Sequence, residues 1–323
     1  MIFSGECPSN IALIKYMGKS NESQNKATNS SLSWTLDHLT TKVTIEPISE
    51  ESDRWELLPT DFPFEMSVVG RNKYLAHVQR MKDHFAIKEN FVIRSGNNFP
   101  ADCGIASSAS SFAALTEACC EAFSQMSGKT MSVLQRAQFS SLGSGSSCRS
   151  FFSGWVRWDG QVIESMDLAL NNLQHMVVIV GGGTKKVSSS NAHKMVKTSG
   201  LFAGRVKRAE QRLQQFIVNS QNGDWAQLFQ LAWQEFWDMH ALFETSHPSF
   251  GYFLPDSMQV LNYAREFWQQ QGDGPLVTMD AGPNIHLLWR EDQKNMAMTF
   301  FDQYLEKRWT CLSNIKEIGF AKV

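Results

Sequence analysis

The sequence has no large excess of charge of either sign. Its 323 residues contain 30 Lys and Arg against 32 Asp and Glu, which gives a formal net charge of −2 at pH 7. A surface that attracts nucleic acid is strongly basic, and this balance gives no indication of one. Apolar residues make up 42% of the chain, so a sizeable core is expected and wholesale disorder is not.

Long apolar segments are also missing. Unbroken apolar runs such as residues 176–180 are far shorter than the roughly 18 residues that a membrane-spanning helix needs. The opening residues, MIFSGECPSN, show no basic region followed by an apolar run, which is the pattern of a secretory signal. A soluble, cytoplasmic protein is therefore expected.

Cysteines are few and show no paired spacing. The six are Cys7, Cys103, Cys119, Cys120, Cys148 and Cys311. None belongs to a C-x-x-C pair with a nearby pair of histidines, so neither a zinc site nor a disulfide framework is predicted. Reduced thiols are expected instead.

Apolar residues that alternate predict strands, and apolar residues that repeat every three or four positions predict helices. Strands are predicted at residues 41–46, 91–94 and 176–180, with a hairpin over 155–163 turning at Asp159-Gly160. Helices are predicted at residues 74–85, 206–217, 225–243 and 257–271, with Asp224 and Gly272 as caps. Strands are commoner before residue 180 and long helices after it, which indicates an N-terminal α+β half and a C-terminal half with more helix that meet near residues 181–183.

Two segments are unusually rich in serine and glycine, residues 103–111 and 140–153; in the second, seven of 14 residues are serine. The first runs into an Ala-rich helical sequence. A glycine and serine entry to a helix presents free N–H groups and the positive end of the helix dipole, which suits a phosphate. The same pattern also fits an ordinary capped helix.

The common nucleotide-binding and hydrolase motifs are absent from the sequence. There is no G-x-x-x-x-G-K-[ST], and the segment Gly143-Ser144-Gly145 lacks the third glycine of a dinucleotide loop. G-x-S-x-G, H-R-D and D-F-G are also absent. If ATP binds, it binds to another fold.

Two charged residues stand in unusual positions. Lys15 interrupts the apolar run of PSNIALIKYMGK, and a buried lysine is costly unless an anion meets it. Alternatively, its flexible stem reaches solvent from a strand end. Asp280 follows a predicted strand and precedes a Gly-Pro turn, where it could anchor the turn or do acid–base and positioning work.

Several blocks occur in an order typical of one family. They are NIALIKYMGK, TNSSLSWTLD, NNFP with GIASSAS, GSGSSCRSFFSGWVRW, KKVSSS with KTS, DMHALF and MDAGPN. Together they span residues 8–284 and resemble the mevalonate diphosphate decarboxylases of the GHMP kinase superfamily. Each block is modest alone, but their ordered occurrence is highly specific.

The resemblance implies an α+β, GHMP kinase-like two-domain fold with the active site in the cleft between the domains. Residues 1–180 would form the N-terminal ATP-binding domain and residues 181–323 the C-terminal domain. The implied reaction converts (R)-5-diphosphomevalonate and ATP into isopentenyl diphosphate, ADP, phosphate and carbon dioxide. Mg²⁺ is the implied cofactor, and a homodimer is the implied assembly.

The resemblance also implies roles for residues. Asp280 would lie against the 3-hydroxyl of the substrate, Lys15 would hold Asp280 ionised, and Arg149 would grip the substrate carboxylate. The remaining implied substrate contacts are Ala12, Tyr16, Lys19, Ser144, Ser146 and Ser189. The implied nucleotide contacts are Gly104, Ala106, Ser107, Ser108 and Ser110.

The sequence departs from the family pattern at three places. Met17 replaces a tryptophan, residues 101–103 read Ala-Asp-Cys, and residues 191–193, beside the implied diphosphate contact Ser189, read Asn-Ala-His. Phosphomevalonate decarboxylase and mevalonate 3-kinase are alternatives on the same scaffold. A non-catalytic anion-binding paralogue is a third alternative, although it would be expected to have lost one of the three charged residues.

Overall fold

The computed structural model describes residues 1–21, 24–100, 107–181 and 186–321. Its strands are β1 (Phe3–Ile14), β2 (Lys19–Asn21), β3 (Lys26–Ala27), β4 (Ser31–Ile48), β5 (Arg54–Leu57), β6 (Asn90–Asn97), β7 (Trp155–Trp158), β8 (Ile163–Met166), β9 (Gln174–Ile179), β10 (Leu276–Thr278), β11 (Ile285–Trp289), β12 (Thr310–Ser313) and β13 (Phe320–Ala321). Its α-helices are α1 (Val68–Phe85), α2 (Ser107–Ser127), α3 (Val133–Ser141), α4 (Ser189–Met195), α5 (Arg205–Gln221), α6 (Trp225–Glu244), α7 (Pro255–Gln271) and α8 (Lys294–Phe300). Short 3-10 helices lie at Gly145–Phe151, Val196–Thr198, Phe202–Gly204 and Glu291–Gln293, and a π-helical turn lies at Phe301–Leu305.

The first sheet is built around the long strand β4. One edge of β4 pairs antiparallel with β1, from Phe3 opposite Ile45 to Ile14 opposite Leu32. The other edge pairs with β6 at one end and with β7 at the other, and β5 and β8 extend the sheet. The register of β1 against β4 shifts between Pro8 and Ser9, and such a shift bends and twists a strand.

The second sheet is antiparallel throughout, in the order β10-β11-β9-β12-β13. Its central strand is β9, which the predicted boundary at residue 180 assigns to the N-terminal domain. Hydrogen bonds to β11 and β12 on either side place β9 in this sheet. The strands β12 and β13 have only four and two residues, too few to show an alternating pattern, and the sequence did not predict them.

The two ends of β1 pack in different cores. The beginning of the strand, with Phe3 and Cys7, belongs to an apolar cluster that α1 and α2 share with the first sheet. Its end, with Ile11 and Leu13, belongs to a larger cluster that includes the second sheet and helices α5 to α7. As a result, β1 delivers the residues that follow it to the junction of the two sheets.

The structure confirms most of the predicted elements. The strands at residues 41–46 and 91–94 lie in β4 and β6, the hairpin is β7–β8, and the four predicted helices are α1, α5, α6 and α7. The side chain of Asp224 caps α6 by accepting a hydrogen bond from the Gln227 N–H. Gly272 ends α7 at a φ of 66°, a left-handed conformation that favours glycine.

Candidate active site

Two strand ends meet at the junction of the sheets. The Thr278 hydroxyl, at the end of β10, donates a hydrogen bond to the Ala12 carbonyl of β1 at 3.2 Å. The residues that follow the two strands are therefore brought together, and Lys15 Nζ lies 2.7 Å from Asp280 Oδ1. The buried lysine is thus met by a carboxylate and does not reach solvent through its stem.

The Lys15–Asp280 pair is buried unequally. Only 2% of the Lys15 side chain is exposed, against 24% of the Asp280 side chain, so the carboxylate can be reached from outside. Burial acts to raise the pKa of Asp280, but the charges of Lys15, His286 and Arg149 outweigh it and hold that pKa below its ordinary value. Burial lowers the pKa of Lys15, and the Asp280 carboxylate opposes this. The site therefore offers an ionised carboxylate at neutral pH.

Arg149 is a buried cation held by neutral groups. It lies on the 3-10 helix Gly145–Phe151 and is 4% exposed. Its Nε and Nη2 donate to Asn10 Oδ1 at 3.1 and 3.0 Å, and its Nη1 donates to Ser31 Oγ at 2.6 Å. In the part of the chain that the structure describes, no carboxylate hydrogen-bonds to this guanidinium. Two of its five N–H groups are left for a ligand, and an anionic one would compensate its charge.

Asn10 is fixed in turn by the segment that carries Arg149. Its Nδ2 donates to Ser150 Oγ at 2.8 Å and to the Ser146 carbonyl at 3.3 Å. Since the amide nitrogen is used in this way, the amide oxygen is oriented toward Arg149. The arginine is therefore held in one position before any ligand binds.

Tyr16 and Lys19 are anchored by one residue. The Tyr16 hydroxyl donates to the Asn25 carbonyl at 3.1 Å, and Lys19 Nζ donates to Asn25 Oδ1 at 2.7 Å. His193 Nδ1 accepts from the Gly18 N–H at 3.0 Å, and its ring centroid lies 4.4 Å from that of Tyr16. Burial and then the charge of Lys19 lower the pKa of His193 to about 3, so its ring is neutral. The unusual residue at position 193 therefore supports the segment that contains Tyr16 and Lys19.

The two serine-rich segments meet. Ser144 precedes the 3-10 helix of Arg149, and its Oγ lies 3.3 Å from Ser108 Oγ at the start of α2. Ser146 is partly exposed, and Ser189 is the exposed first residue of α4. Ala12 is buried, and its carbonyl holds Thr278.

The serines at the start of α2 differ in exposure. Ser107 is its first residue, and the side chain of Ser108 is exposed. Ser110 is buried, with its Oγ 2.7 Å from Thr41 Oγ1, so its hydroxyl faces the interior. Two predicted nucleotide contacts lie outside the described residues: Gly104 and Ala106.

Sequence reasoning missed a group of polar residues around the site: Asn10, Ser31, Arg205, Glu235 and His240. Asn10 and Ser31 gave no signal, because a polar residue in a strand is usually solvent-facing. Glu235 and Arg205 did give one. Each lies at helical spacing within the apolar face of its helix, α6 or α5, where a charge needs a buried partner.

Three further findings concern the thiols, metal ligands and membrane spans. The thiols of Cys7, Cys119, Cys120, Cys148 and Cys311 are free and buried. Within residues 1–21, 24–100, 107–181 and 186–321, no three His, Cys, Asp or Glu side chains form a group that could hold a metal ion. None of the helices in those ranges is long and apolar enough to span a bilayer.

Two α+β units, a Lys–Asp pair at their junction and a serine-rich start to a long helix define a protein of the GHMP kinase-like, two-domain class. Family models cover both units. The diphosphomevalonate decarboxylase-like N-terminal domain matches residues 7–167, and the mevalonate 5-diphosphate decarboxylase C-terminal domain matches residues 175–320. The chain belongs to the diphosphomevalonate decarboxylase family.

Individual relatives agree with this assignment. The crystal structure of a mevalonate diphosphate decarboxylase from Legionella pneumophila has a TM-score of 0.92 and 42% identity, covering 97% of this chain and 100% of its own. The structure of MDDEF in complex with MVAPP, AMPPCP and magnesium has a TM-score of 0.85 and 27% identity, covering 99% and 98%. The diphosphomevalonate decarboxylase of Candida albicans is 30% identical over 313 residues, covering 90% of this chain and 85% of the relative.

Proposed function

We propose that this chain catalyses the ATP-dependent conversion of (R)-5-diphosphomevalonate into isopentenyl diphosphate, ADP, phosphate and carbon dioxide. Its family membership supports the reaction, and the relative bound to MVAPP, AMPPCP and magnesium supports ATP and Mg²⁺ as co-substrate and cofactor. The single observation that carries the proposal is the accessible Asp280 carboxylate, held by Lys15 within the electrostatic influence of Arg149.

The chemistry explains why these groups are needed. A tertiary hydroxyl is a poor leaving group, so ATP first converts it into a phosphate ester. Departure of that phosphate leaves positive character on the tertiary carbon, and the neighbouring carboxylate leaves as carbon dioxide while the double bond forms. The enzyme contributes positioning and electrostatic stabilisation, which are the main needs of phosphoryl transfer.

Asp280 takes the 3-hydroxyl in this proposal. One of its oxygens is held by Lys15, and its exposed fraction leaves the carboxylate open to a ligand. As an ionised group it accepts the hydrogen bond of the hydroxyl and orients the oxygen toward the nucleotide. Its negative charge then stabilises the cation that develops at the tertiary carbon.

Arg149 takes the substrate carboxylate. Its planar guanidinium suits a carboxylate, and its bonds to Asn10 and Ser31 fix its direction. Ser144 and Ser146, on the same segment, flank this end of the substrate. The presence of Arg149 also supports a decarboxylase rather than a kinase, because an enzyme that only phosphorylates the hydroxyl has less need to bind the carboxylate.

The diphosphate of the substrate is assigned to Tyr16, Lys19 and Ser189. Lys19 supplies charge and the Ser189 hydroxyl a hydrogen bond. The Tyr16 hydroxyl would donate to the diphosphate by exchanging its bond to the Asn25 carbonyl for one to a phosphate oxygen. The anchoring of Tyr16 and Lys19 by Asn25 and the support from His193 fit this role, because they fix both side chains near one another.

The nucleotide phosphates are assigned to the start of α2. A helix of 21 residues presents a positive dipole end there, and Ser107 and Ser108 add hydroxyls. Such neutral oxygens suit Mg²⁺, which is usually shared between phosphate oxygens and few protein ligands. When bound, the ion neutralises charge on the triphosphate.

We further propose that the two domains divide at residues 168–173, ahead of β9 and between the two family matches. A homodimer and a cytoplasmic location are proposed from the family resemblance. Sedimentation analysis of the purified chain tests the dimer.

The test of function incubates the chain with ATP, Mg²⁺ and either mevalonate, its 5-phosphate or its 5-diphosphate. We expect equal amounts of ADP and carbon dioxide, with the 5-diphosphate alone. Release of ADP without carbon dioxide would instead identify a 3-kinase. Preferred turnover of the 5-phosphate would identify a phosphomevalonate decarboxylase.

A further inference from the structure

A buried ion pair holds the backbone of Lys15. The Lys15 N–H donates to Glu235 Oε1 at 2.9 Å, and the Lys15 carbonyl accepts from Arg205 Nη2 at 3.0 Å. The side chains of Glu235 and Arg205 are both 0% exposed, and they bond to each other through both ends of the carboxylate. The Lys15 carbonyl also accepts from Asn29 Nδ2 at 2.9 Å, so Glu235 holds the backbone N–H and Arg205 shares the carbonyl with Asn29.

These bonds take the place of strand pairing. The last pair between β1 and β4 is Ile14 opposite Leu32, so the backbone of Lys15 lies just beyond the ladder. A buried N–H or carbonyl without a partner is costly. Here α6 of the second unit supplies the partner of the N–H, and α5 supplies a partner of the carbonyl beside Asn29 of the first unit. The position of Lys15 is consequently set by both halves of the molecule.

Stability alone does not explain an ion pair at this place. Apolar side chains of similar volume stabilise a core as well as a buried ion pair, or better. Further charged partners surround the pair: Arg205 bonds to Asp238 at 3.0 Å, and Arg212 bonds to Glu235 at 2.8 Å. What the pair adds is fixed geometry at Lys15, whose flexible stem must bring its ammonium to Asp280.

We propose that Glu235 and Arg205 are positioning residues, which fix the Lys15 backbone so that its ammonium is delivered to Asp280. This inference rests on the proposed function, since it requires the Lys15–Asp280 pair to take part in the reaction. Both side chains are fully buried, so neither is placed to touch the substrate.

Glu235 has a second effect on Lys15, through its charge. Burial lowers the pKa of Lys15, the charges of Asp280 and Glu235 raise it, and the charge of Arg149 lowers it. Loss of the Glu235 carboxylate therefore lowers the pKa of Lys15 further, because it destabilises the protonated form. This gives the pair a measurable signature that a purely structural role lacks.

The test compares Glu235→Gln with Asp238→Asn. Asp238 bonds to Arg205, Arg208 and Arg212 but makes no contact with Lys15, so it is a matched control for loss of a buried carboxylate in the same network. Circular dichroism establishes that both variants are folded at the assay temperature, and titration with a fluorescent ATP analogue counts active sites. Values of kcat and KM are then measured across pH.

We expect Glu235→Gln to lower kcat per active site about 10- to 100-fold more than Asp238→Asn, with KM little changed. The basic limb of its kcat profile should also move to lower pH. Equal losses in the two variants, with unchanged pH profiles, would overturn the proposal.

A second pair keeps the test decisive if Glu235→Gln does not fold. Arg205→Lys retains a cation beside Glu235 but lacks the fork that also reaches the Lys15 carbonyl. Its control is Arg208→Lys, because Arg208 bonds to Asp238 and not to Lys15. We expect a loss of kcat only in Arg205→Lys, and wild-type turnover in that variant would contradict the proposal. Failure of the proposed function is distinguishable, because the wild-type chain would then release no carbon dioxide.

Discussion

Replacing Lys15 by methionine removes the cation that lies 2.7 Å from Asp280 while keeping most of the side-chain volume. Burial, which acts to raise the pKa of Asp280, is then opposed mainly by His286 and Arg149. Loss of an opposite charge at this distance raises the pKa of a carboxyl group. Since turnover requires the ionised carboxylate, the acid limb of the kcat profile should move to higher pH.

The same substitution should destabilise the fold. Removing one partner of a fully buried ion pair costs about 3–5 kcal/mol. Because 24% of the Asp280 side chain is exposed, water relieves part of that cost, and we expect a value below this range. The matched control is Lys82→Met, which breaks the Lys82–Asp53 pair of α1, where the side chains are 5% and 11% exposed.

Rates of carbon dioxide release across pH, together with urea unfolding, measure both effects. Lys82→Met should lose stability but keep the wild-type pH profile. If Lys15→Met keeps the wild-type acid limb, or if both variants shift it equally, Lys15 does not hold Asp280 ionised for the reaction.

Further predictions concern binding and acid stability. Arg149→Ala should raise KM for the substrate about 10- to 100-fold in steady-state kinetics, because it removes a charge-assisted hydrogen bond. An unchanged KM would contradict the assignment of Arg149 to the substrate carboxylate. Lys19→Ala should weaken binding of the 5-diphosphate more than binding of ATP in calorimetry, and equal weakening would contradict its assignment. Burial lowers the pKa of His77, His193 and His240 to about 3, so the unfolded chain binds more protons below its ordinary pKa of about 6.5. As the pH is lowered from about 6.5 to about 3, the free energy of unfolding should therefore fall by up to about 1.4 kcal/mol per pH unit for each of these histidines. Urea titrations that show no such fall would contradict the burial of these side chains in the neutral form.

Local patterns predicted the elements whose signal lies within one segment. Asp224 and Gly272 mark helix ends through their own backbone chemistry, and the apolar spacing of α6 places its buried face. The strands β12 and β13 are too short for such a signal, and only their pairing beside β9 defines them.

The site depends on contacts between distant segments. Lys15 and Asp280 are 265 residues apart, and Arg149 and Asn10 are 139 apart, so no local pattern could pair them. The family resemblance indicated Lys15, Asp280 and Arg149. It did not indicate Glu235, although a charge on the apolar face of α6 was a usable signal.

The central claim is that the ionised Asp280 carboxylate acts on the substrate hydroxyl. The most direct test measures ADP and carbon dioxide release by Asp280→Asn, with ATP-analogue binding measured in the same preparation. We expect near-normal nucleotide binding with neither product formed. Retention of most of the wild-type rate by this variant would contradict the role assigned to Asp280.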